Sequence, residues 1–113
     1  MSNIIIRNNP ERSRFEVING GKVIGQAAYR EYNAGEAQRI FYHTAIDDEY
    51  GGQGLAARLA TQALDETVAD GITIVPVCPY IKKFLTKHPE YGPNTTKPTP
   101  AHLEFLSAVL ARR

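Results

Sequence analysis

One cysteine, Cys78, is all this chain carries, so no disulfide can close within it and a reducing interior is the expected setting. Charge of one sign is missing too. Thirteen Lys and Arg against 12 Asp and Glu leave a formal charge of +1, too weak a field to steer nucleic acid or a membrane surface. No apolar run approaches the ~20 residues of a membrane span. Met1-Ser2-Asn3-Ile4 shows no basic region followed by a long apolar core, so no secretory signal is expected and cytoplasm is the expected compartment. The three scattered histidines, with one cysteine, do not make a metal site. At 113 residues, 42% of them hydrophobic and 22% charged, the chain suits a single globular domain with a core of its own.

What is present, and unusual, is Glu49-Tyr50-Gly51-Gly52-Gln53-Gly54-Leu55-Ala56. Three glycines in four positions follow an apolar strand-like run and precede an amphipathic helical one. Glycine lets the backbone take unusual dihedrals and approach a ligand closely. The unpaired N–H groups of a first helical turn, with the helix dipole behind them, favour an anion. A pyrophosphate-bearing cofactor is the expectation, with a plain tight turn as the alternative. No Lys-Ser or Lys-Thr follows the glycines, which excludes a nucleotide P-loop, and the spacing is not the G-x-G-x-x-G of dinucleotide folds.

The first half reads as an antiparallel meander. Ile4–Arg7 stops at Asn8-Asn9-Pro10, and Arg14–Ile18 ends at the hairpin signal Asn19-Gly20-Gly21. Val23–Tyr32 is turned by Asn33-Ala34-Gly35-Glu36, and Arg39–Ile46 leads into the glycines. The period then changes. Ala56, Leu59, Ala60, Ala63, Leu64, Thr67 and Val68 make one helical stripe between Leu55 and Asp70, ended by Gly71. Ile72–Val77 reads as a strand buried on both faces, in which Pro76 cannot donate to a ladder, so pairing is expected to splay there. Cys78-Pro79 opens a helix over Tyr80–Lys87, stopped by His88-Pro89. Residues 94–99 read as an exposed connector. Thr99-Pro100 starts a last helix with Leu103, Leu106, Val109 and Leu110 as its stripe and Arg112-Arg113 at its C-terminal dipole.

This order of meander, glycine turn, helix, buried strand and helix resembles the GNAT acetyltransferase superfamily and, within it, the short Yjdj-type GNAT-like proteins. The resemblance rests on His43-Thr44, on Glu49 to Ala56, and on Cys78-Pro79-Tyr80 with Lys87-His88-Pro89-Glu90-Tyr91. It covers about positions 14–91 and leaves the last helix outside. It implies an α+β, three-layer fold with a mixed, mostly antiparallel sheet whose strands splay. Residues 1–93 would form the acetyl-CoA-binding part, and 94–113 a connector and helix of the same domain. There is one departure. The superfamily's Arg/Gln-x-x-Gly-x-Gly/Ala places Gly51 where Arg or Gln is usual, a loss of about 1 kcal/mol for one exposed contact.

By the same resemblance the cosubstrate is acetyl-CoA and the acceptor an amine. The backbone of Gly51, Gly52, Gln53, Gly54, Leu55 and Ala56 would cradle the pyrophosphate. Ala45 and Ile46 would pair with the pantetheine arm as an added strand. Arg58, one turn into the helix, would reach a phosphate or stay a solvated charge. Acetyl transfer needs a base, donors for the oxyanion and an acid for the leaving thiolate. His43 is the candidate base, since imidazole exchanges its proton near neutral pH; a half-buried strand histidine is the alternative. Cys78, between a buried strand and a helix N-terminus, is a candidate nucleophile or acid, or a small buried hydrophobe. Tyr80 is a second acid candidate or ordinary packing. His88 and His102 are expected to be exposed, and Lys82, Lys83 and Lys87 to form a solvated helix face, with contact to the CoA 3′-phosphate as the alternative. A CoA-binding module with little turnover and a non-enzymatic interaction domain are the rival readings. No motif specifies the acceptor or the oligomeric state.

Overall fold

The computed structural model describes residues 3–111. Five strands, β1 (Ile4–Asn9), β2 (Arg14–Asn19), β3 (Lys22–Asn33), β4 (Ala37–Ile46) and β5 (Thr73–Pro76), lie side by side in chain order. The first four form the antiparallel meander expected from the turn residues, and β5 adds in parallel to β4. Helix α1 (Leu55–Ala69) supplies the crossover that a parallel pair requires. Helices α2 (Pro79–Lys87) and α3 (Pro100–Ala111) complete an α+β, three-layer fold.

The β2–β3 hairpin closes where Gly20 and Gly21 take φ of +57° and +89°, the mirror-image turn that matches strand twist. Two irregularities matter more for function. Between β3 and β4 the register jumps from Tyr29↔Phe41 to Ala28↔His43, so Tyr42 is an extra residue, a bulge in β4. On the other edge of β4, pairing with β5 ends at Phe41↔Pro76. The N–H groups of Val77 and Cys78 both turn onto the Phe41 carbonyl, at 2.9 and 2.9 Å. Beyond that point β5 gives way to α2 while β4 runs on to Ile46, so the expected splay is present.

One face of the sheet carries α1 and α2. Phe15, Val17, Tyr29 and Phe41 meet Leu59, Ala60, Ala63, Leu64, Ile81 and Phe84 there. The alanines let α1 lie close to the sheet, while each buried Leu or Phe contributes about 1.5–3 kcal/mol. Arg39 is buried in this layer. Its guanidinium donates to Glu31 Oε2 at 2.7 Å and to Thr67 Oγ1 at 3.1 Å, and lies 4.5 Å from the Tyr29 ring centroid. Burial raises the Tyr29 phenol above its ordinary pKa, partly opposed by that guanidinium. The opposite face carries α3 over Ile40 and Val75.

Several boundaries and exposures differ from expectation. Strands β1, β3 and β4 are longer than the apolar runs, because hairpin pairing carries polar ends along, and β5 is shorter, because Pro76 stops the ladder. Pro89–Asn94 is a 3-10 turn rather than a plain stop. Its Tyr91 is buried and donates to Asp65 Oδ1 at 2.6 Å, tying the turn to α1. The connector is not free either: Thr95 bridges Ile74, and the Thr96 N–H donates to the Ile74 carbonyl at 2.9 Å. His88 is half-buried and stacked on Phe84.

The largest correction is His102, which is buried. It stands three residues after Thr99, the capping-box spacing, with imidazole in place of the usual carboxylate or amide. The Thr99 N–H donates to Nδ1 at 2.9 Å, the His102 N–H donates back to Thr99 Oγ1 at 3.4 Å, and Nε2 meets Gln38 Oε1 at 2.6 Å. Because Nδ1 accepts, Nε2 carries the proton given to Gln38. The apolar stripe of α3 is thereby rotated: Leu106 is buried, Phe105 and Leu110 pack beside it, and Leu103 is 50% exposed. Arg112 and Arg113, expected at the C-terminal dipole, lie outside the described residues.

Candidate functional site

The splay and the glycine turn form one continuous feature. Past Phe41, no strand among the described residues pairs with β4 on its β5 side, which leaves the backbone of Tyr42–Ile46 as an open edge. At its end the Asp47 N–H donates to the Ile24 carbonyl at 2.7 Å, and a 3-10 turn over Asp48–Tyr50 follows. The Tyr50 hydroxyl accepts from Asn19 Nδ2 at 3.1 Å, fastening this turn to the β2–β3 hairpin. Gly51 N–H is used by the Asp48 carbonyl at 3.1 Å, with φ of −66°, a conformation open to any residue.

Gly52 and Gly54 differ from Gly51, with φ of +79° and +73° and no atom close enough to touch an added Cβ. Here the backbone itself demands glycine. Gly54 is the N-cap of α1 and provides no side-chain cap, and the first helical hydrogen bond is Arg58 N–H to the Gly54 carbonyl at 3.1 Å. Among the described residues, the N–H groups from Gly52 to Ala57 find no protein partner. The first turn of α1 holds no acidic residue. Buried Leu55 anchors the helix start, while residues 51–54 are exposed. An exposed row of unpaired donors at the positive end of a helix is chemically an anion cradle. Arg58 is exposed on the next turn and lines a hollow of about 460 Å³ with Ile6, Thr61 and Asp65.

The three residues expected to carry chemistry are not assembled into one hydrogen-bonded set. Cys78 is the N-cap of α2, with Pro79 following it, and it is buried among the core residues of the α1/α2 face. Its Sγ lies 3.4 Å from Thr44 Oγ1. His43 is exposed. The bulge explains the separation: Phe41 packs in the α1/α2 layer, Tyr42 packs in the α3 layer, and the regular alternation resumes with Thr44 back at Cys78. His43 therefore presents its ring to the face opposite the thiol. Tyr80 is 37% exposed, and its ring stacks on Phe84 at 6.3 Å; partial burial raises its phenol above the ordinary pKa. Ala45 is exposed and Ile46 half-buried along the open edge. Thr44 is the site residue to which sequence reasoning gave no role, since nothing in the residue string announces the bulge that aims it at Cys78. Among the described residues no group of three or more His, Cys, Asp or Glu could hold a metal ion, and no helix is long and apolar enough to cross a membrane.

Residues 14–94 match the model of a family described as GCN5-related N-acetyl-transferase. The chain belongs to that family. Among curated relatives, Protein NATD1 of Bos taurus is 40% identical over 47 residues, 42% of this chain and 42% of that protein. Protein NATD1 of Homo sapiens is 38% identical over 47 residues, again 42% of each chain. The alignment thus spans about two-fifths of those relatives' length. A GCN5-like protein from Staphylococcus aureus, solved by NMR, superposes with a TM-score of 0.63 at 23% identity, over 90% of this chain and 97% of its own. An aminoglycoside acetyltransferase from an uncultured soil sample, solved with trehalose, superposes with a TM-score of 0.52 at 15% identity, over 88% of this chain and 74% of its own. These likenesses show that the overall fold is shared, and family membership places the chain among acyl-transfer proteins.

Proposed function

We propose that this GNAT chain is an acetyl-CoA-dependent N-acyltransferase that moves an acetyl group to an amine, in the cytoplasm. The observation that carries the reading is the junction of the open β4 edge with the unpaired N–H groups of residues 52–57. The diphosphate of the cosubstrate sits on Gly52, Gln53, Gly54, Leu55 and Ala56, with Gly51 at the start of the cradle and Arg58 one turn further along. The pantetheine arm lies along the edge and exchanges amide hydrogen bonds with Ala45 and Ile46, completing the interrupted ladder.

In the transfer, the amine nitrogen attacks the thioester carbonyl, the carbon–sulfur bond breaks and the amine gives up one proton. His43, exposed on the opposite face from the buried thiol, takes that proton from an acceptor approaching there. The departing thiolate needs a proton, and Tyr80 supplies it; a phenol is protonated at neutral pH, and partial burial makes this one a weaker acid than an exposed tyrosine. Cys78, buried and bonded to Thr44, lines the point where the strands part and is the alternative proton source or acyl acceptor.

A second reading is a CoA-binding module with little turnover. Gly51 in place of Arg or Gln favours it, as does the separation of His43 from Cys78 across the sheet. Calorimetric titration with acetyl-CoA tests the binding that both readings need; no heat at saturating concentration would leave a plain interaction domain. Thiol release with a panel of amines then separates the two, because only the transferase liberates CoA in proportion to acetylated amine.

A further inference from the structure

Leu103 was expected in the core and is not there, and its place shows what the fold leaves open. It lines a cleft of about 620 Å³ at the β5 edge of the sheet, which shares Pro76 and Val77 with the point where β4 and β5 part but none of the residues of the glycine turn. Pro76, Val77 and Leu85 share its floor, so β5, α2 and α3 each contribute an apolar side chain. The volume is within the ~300–1,000 Å³ typical of small-molecule sites. An apolar residue left in a concavity between three elements is more informative than one on a convex surface.

The charge of the cleft has one sign. Its only ionisable lining groups among the described residues are Lys82, from α2, and Lys97, from the connector. Among the described residues neither has a carboxylate within ion-pair distance. The two lining hydroxyls are already committed: Thr86 Oγ1 donates to the Lys83 carbonyl at 2.7 Å and Thr95 Oγ1 to the Tyr91 carbonyl at 2.7 Å. Two ammonium groups thus border one apolar hollow with no anion between them. A ligand that brings a negative charge offers both ammonium groups a counter-ion while its apolar body covers Leu103, Leu85 and Val77.

We infer that this cleft binds a small apolar carboxylate, with the hydrocarbon on the Val77–Leu85–Leu103 floor and the carboxylate between Lys82 and Lys97. The site is distinct from the acetyl-CoA cradle and does not depend on the reading given to it.

Octanoate is the probe, with octanol and octylammonium as matched controls of neutral and opposite charge. In two-dimensional NMR titrations, octanoate produces saturable shifts of the methyl signals of Val77, Leu85 and Leu103. Octanol binds about tenfold more weakly, the size expected of two exposed ion pairs, and octylammonium weaker still. The Lys82→Glu/Lys97→Glu double variant, both positions being exposed, keeps its melting temperature and reverses the order, preferring octylammonium. Leu103→Asn weakens all three ligands together. Equal affinity for octanoate and octanol would overturn the charge recognition. The absence of saturable shifts at those three residues would overturn the site itself.

Discussion

Cys78 Sγ and Thr44 Oγ1 face each other at 3.4 Å across the point where β4 and β5 part. The pair closes the inner end of the splay, with the thiol only 3% exposed. A buried thiol reacts only when its surroundings open. Native protein is therefore expected to react with a disulfide reagent at least tenfold more slowly than urea-unfolded protein, a factor corresponding to about 1.4 kcal/mol of protection. Thr44→Ala speeds the native reaction and saturating acetyl-CoA slows it. A native rate equal to the unfolded one would show that Cys78 is accessible without any opening.

Turn glycines are expected to respond in opposite ways. Gly54→Ala meets no neighbour, yet it forces a Cβ into the left-handed region, at about 1–2 kcal/mol. The variant melts lower and binds acetyl-CoA more weakly. Gly51→Gln restores the side chain usual in the family at a backbone any residue can adopt, although its Cβ comes 3.3 Å from the Asp48 carbonyl. If the exposed turn shifts by a few tenths of an ångström, one added contact of about 1 kcal/mol tightens acetyl-CoA about fivefold by calorimetry.

His43 is exposed and joined to no other candidate residue, so its removal separates chemistry from binding. For His43→Ala the acetyl-CoA affinity and the melting temperature stay unchanged, while kcat/KM for a responding amine falls by about 10²–10⁴. A variant with full turnover would remove His43 from the mechanism.

Alkaline stability follows from Tyr91. Burial, and then the Asp65 carboxylate that its hydroxyl meets at 2.6 Å, push the phenol well above the usual tyrosine range. A raised folded pKa means that folding opposes ionisation. The stabilisation is complete below the unfolded value of about 10 and is lost as pH rises through the folded one. Urea midpoints are expected to fall above about pH 10. Tyr91→Phe is less stable at neutral pH by about 2 kcal/mol, the size of a hydrogen bond to a charged group, and shows a shallower alkaline decline. Tyr29 and Tyr80, raised in the same sense, leave it some slope.

The capping role of His102 is separable from its bulk. His102→Ala removes both the part-buried Thr99 cap bond and the buried Gln38 bond, and costs about 2 kcal/mol. His102→Gln, whose amide has both an acceptor and a donor, recovers part of it. Thermal melts monitored by helical circular dichroism give the comparison.

Local chemistry made much of this fold legible. Gly20-Gly21 announced the hairpin, the alanine-rich stripe announced α1 against the sheet, and Pro76 announced where the last ladder would fail. Gly52 and Gly54 marked the turn that enters α1 because their dihedrals are otherwise costly. Relations set by long-range register were not legible. Nothing around Tyr42 encodes a bulge, so the opposed aims of His43 and Thr44 were invisible. His102 looked like a polar residue of a first helical turn, because its partner Gln38 lies 64 positions away. Leu103 and Leu106 look alike as letters, and only the docking angle of α3 distinguishes them.

The extra residue at Tyr42 also predicts how this strand tolerates length changes. Insertions at the Asn33–Ala37 bend would be absorbed by solvent. Removing Tyr42 itself would restore strict two-residue alternation and keep the imidazole and the threonine hydroxyl on their present faces. Removing a residue after it, with the bulge kept, would exchange the faces of everything that follows in β4. Natural or laboratory variants should therefore accept indels freely at the Asn33–Ala37 bend and, beyond Phe41, only where the change removes the bulge residue.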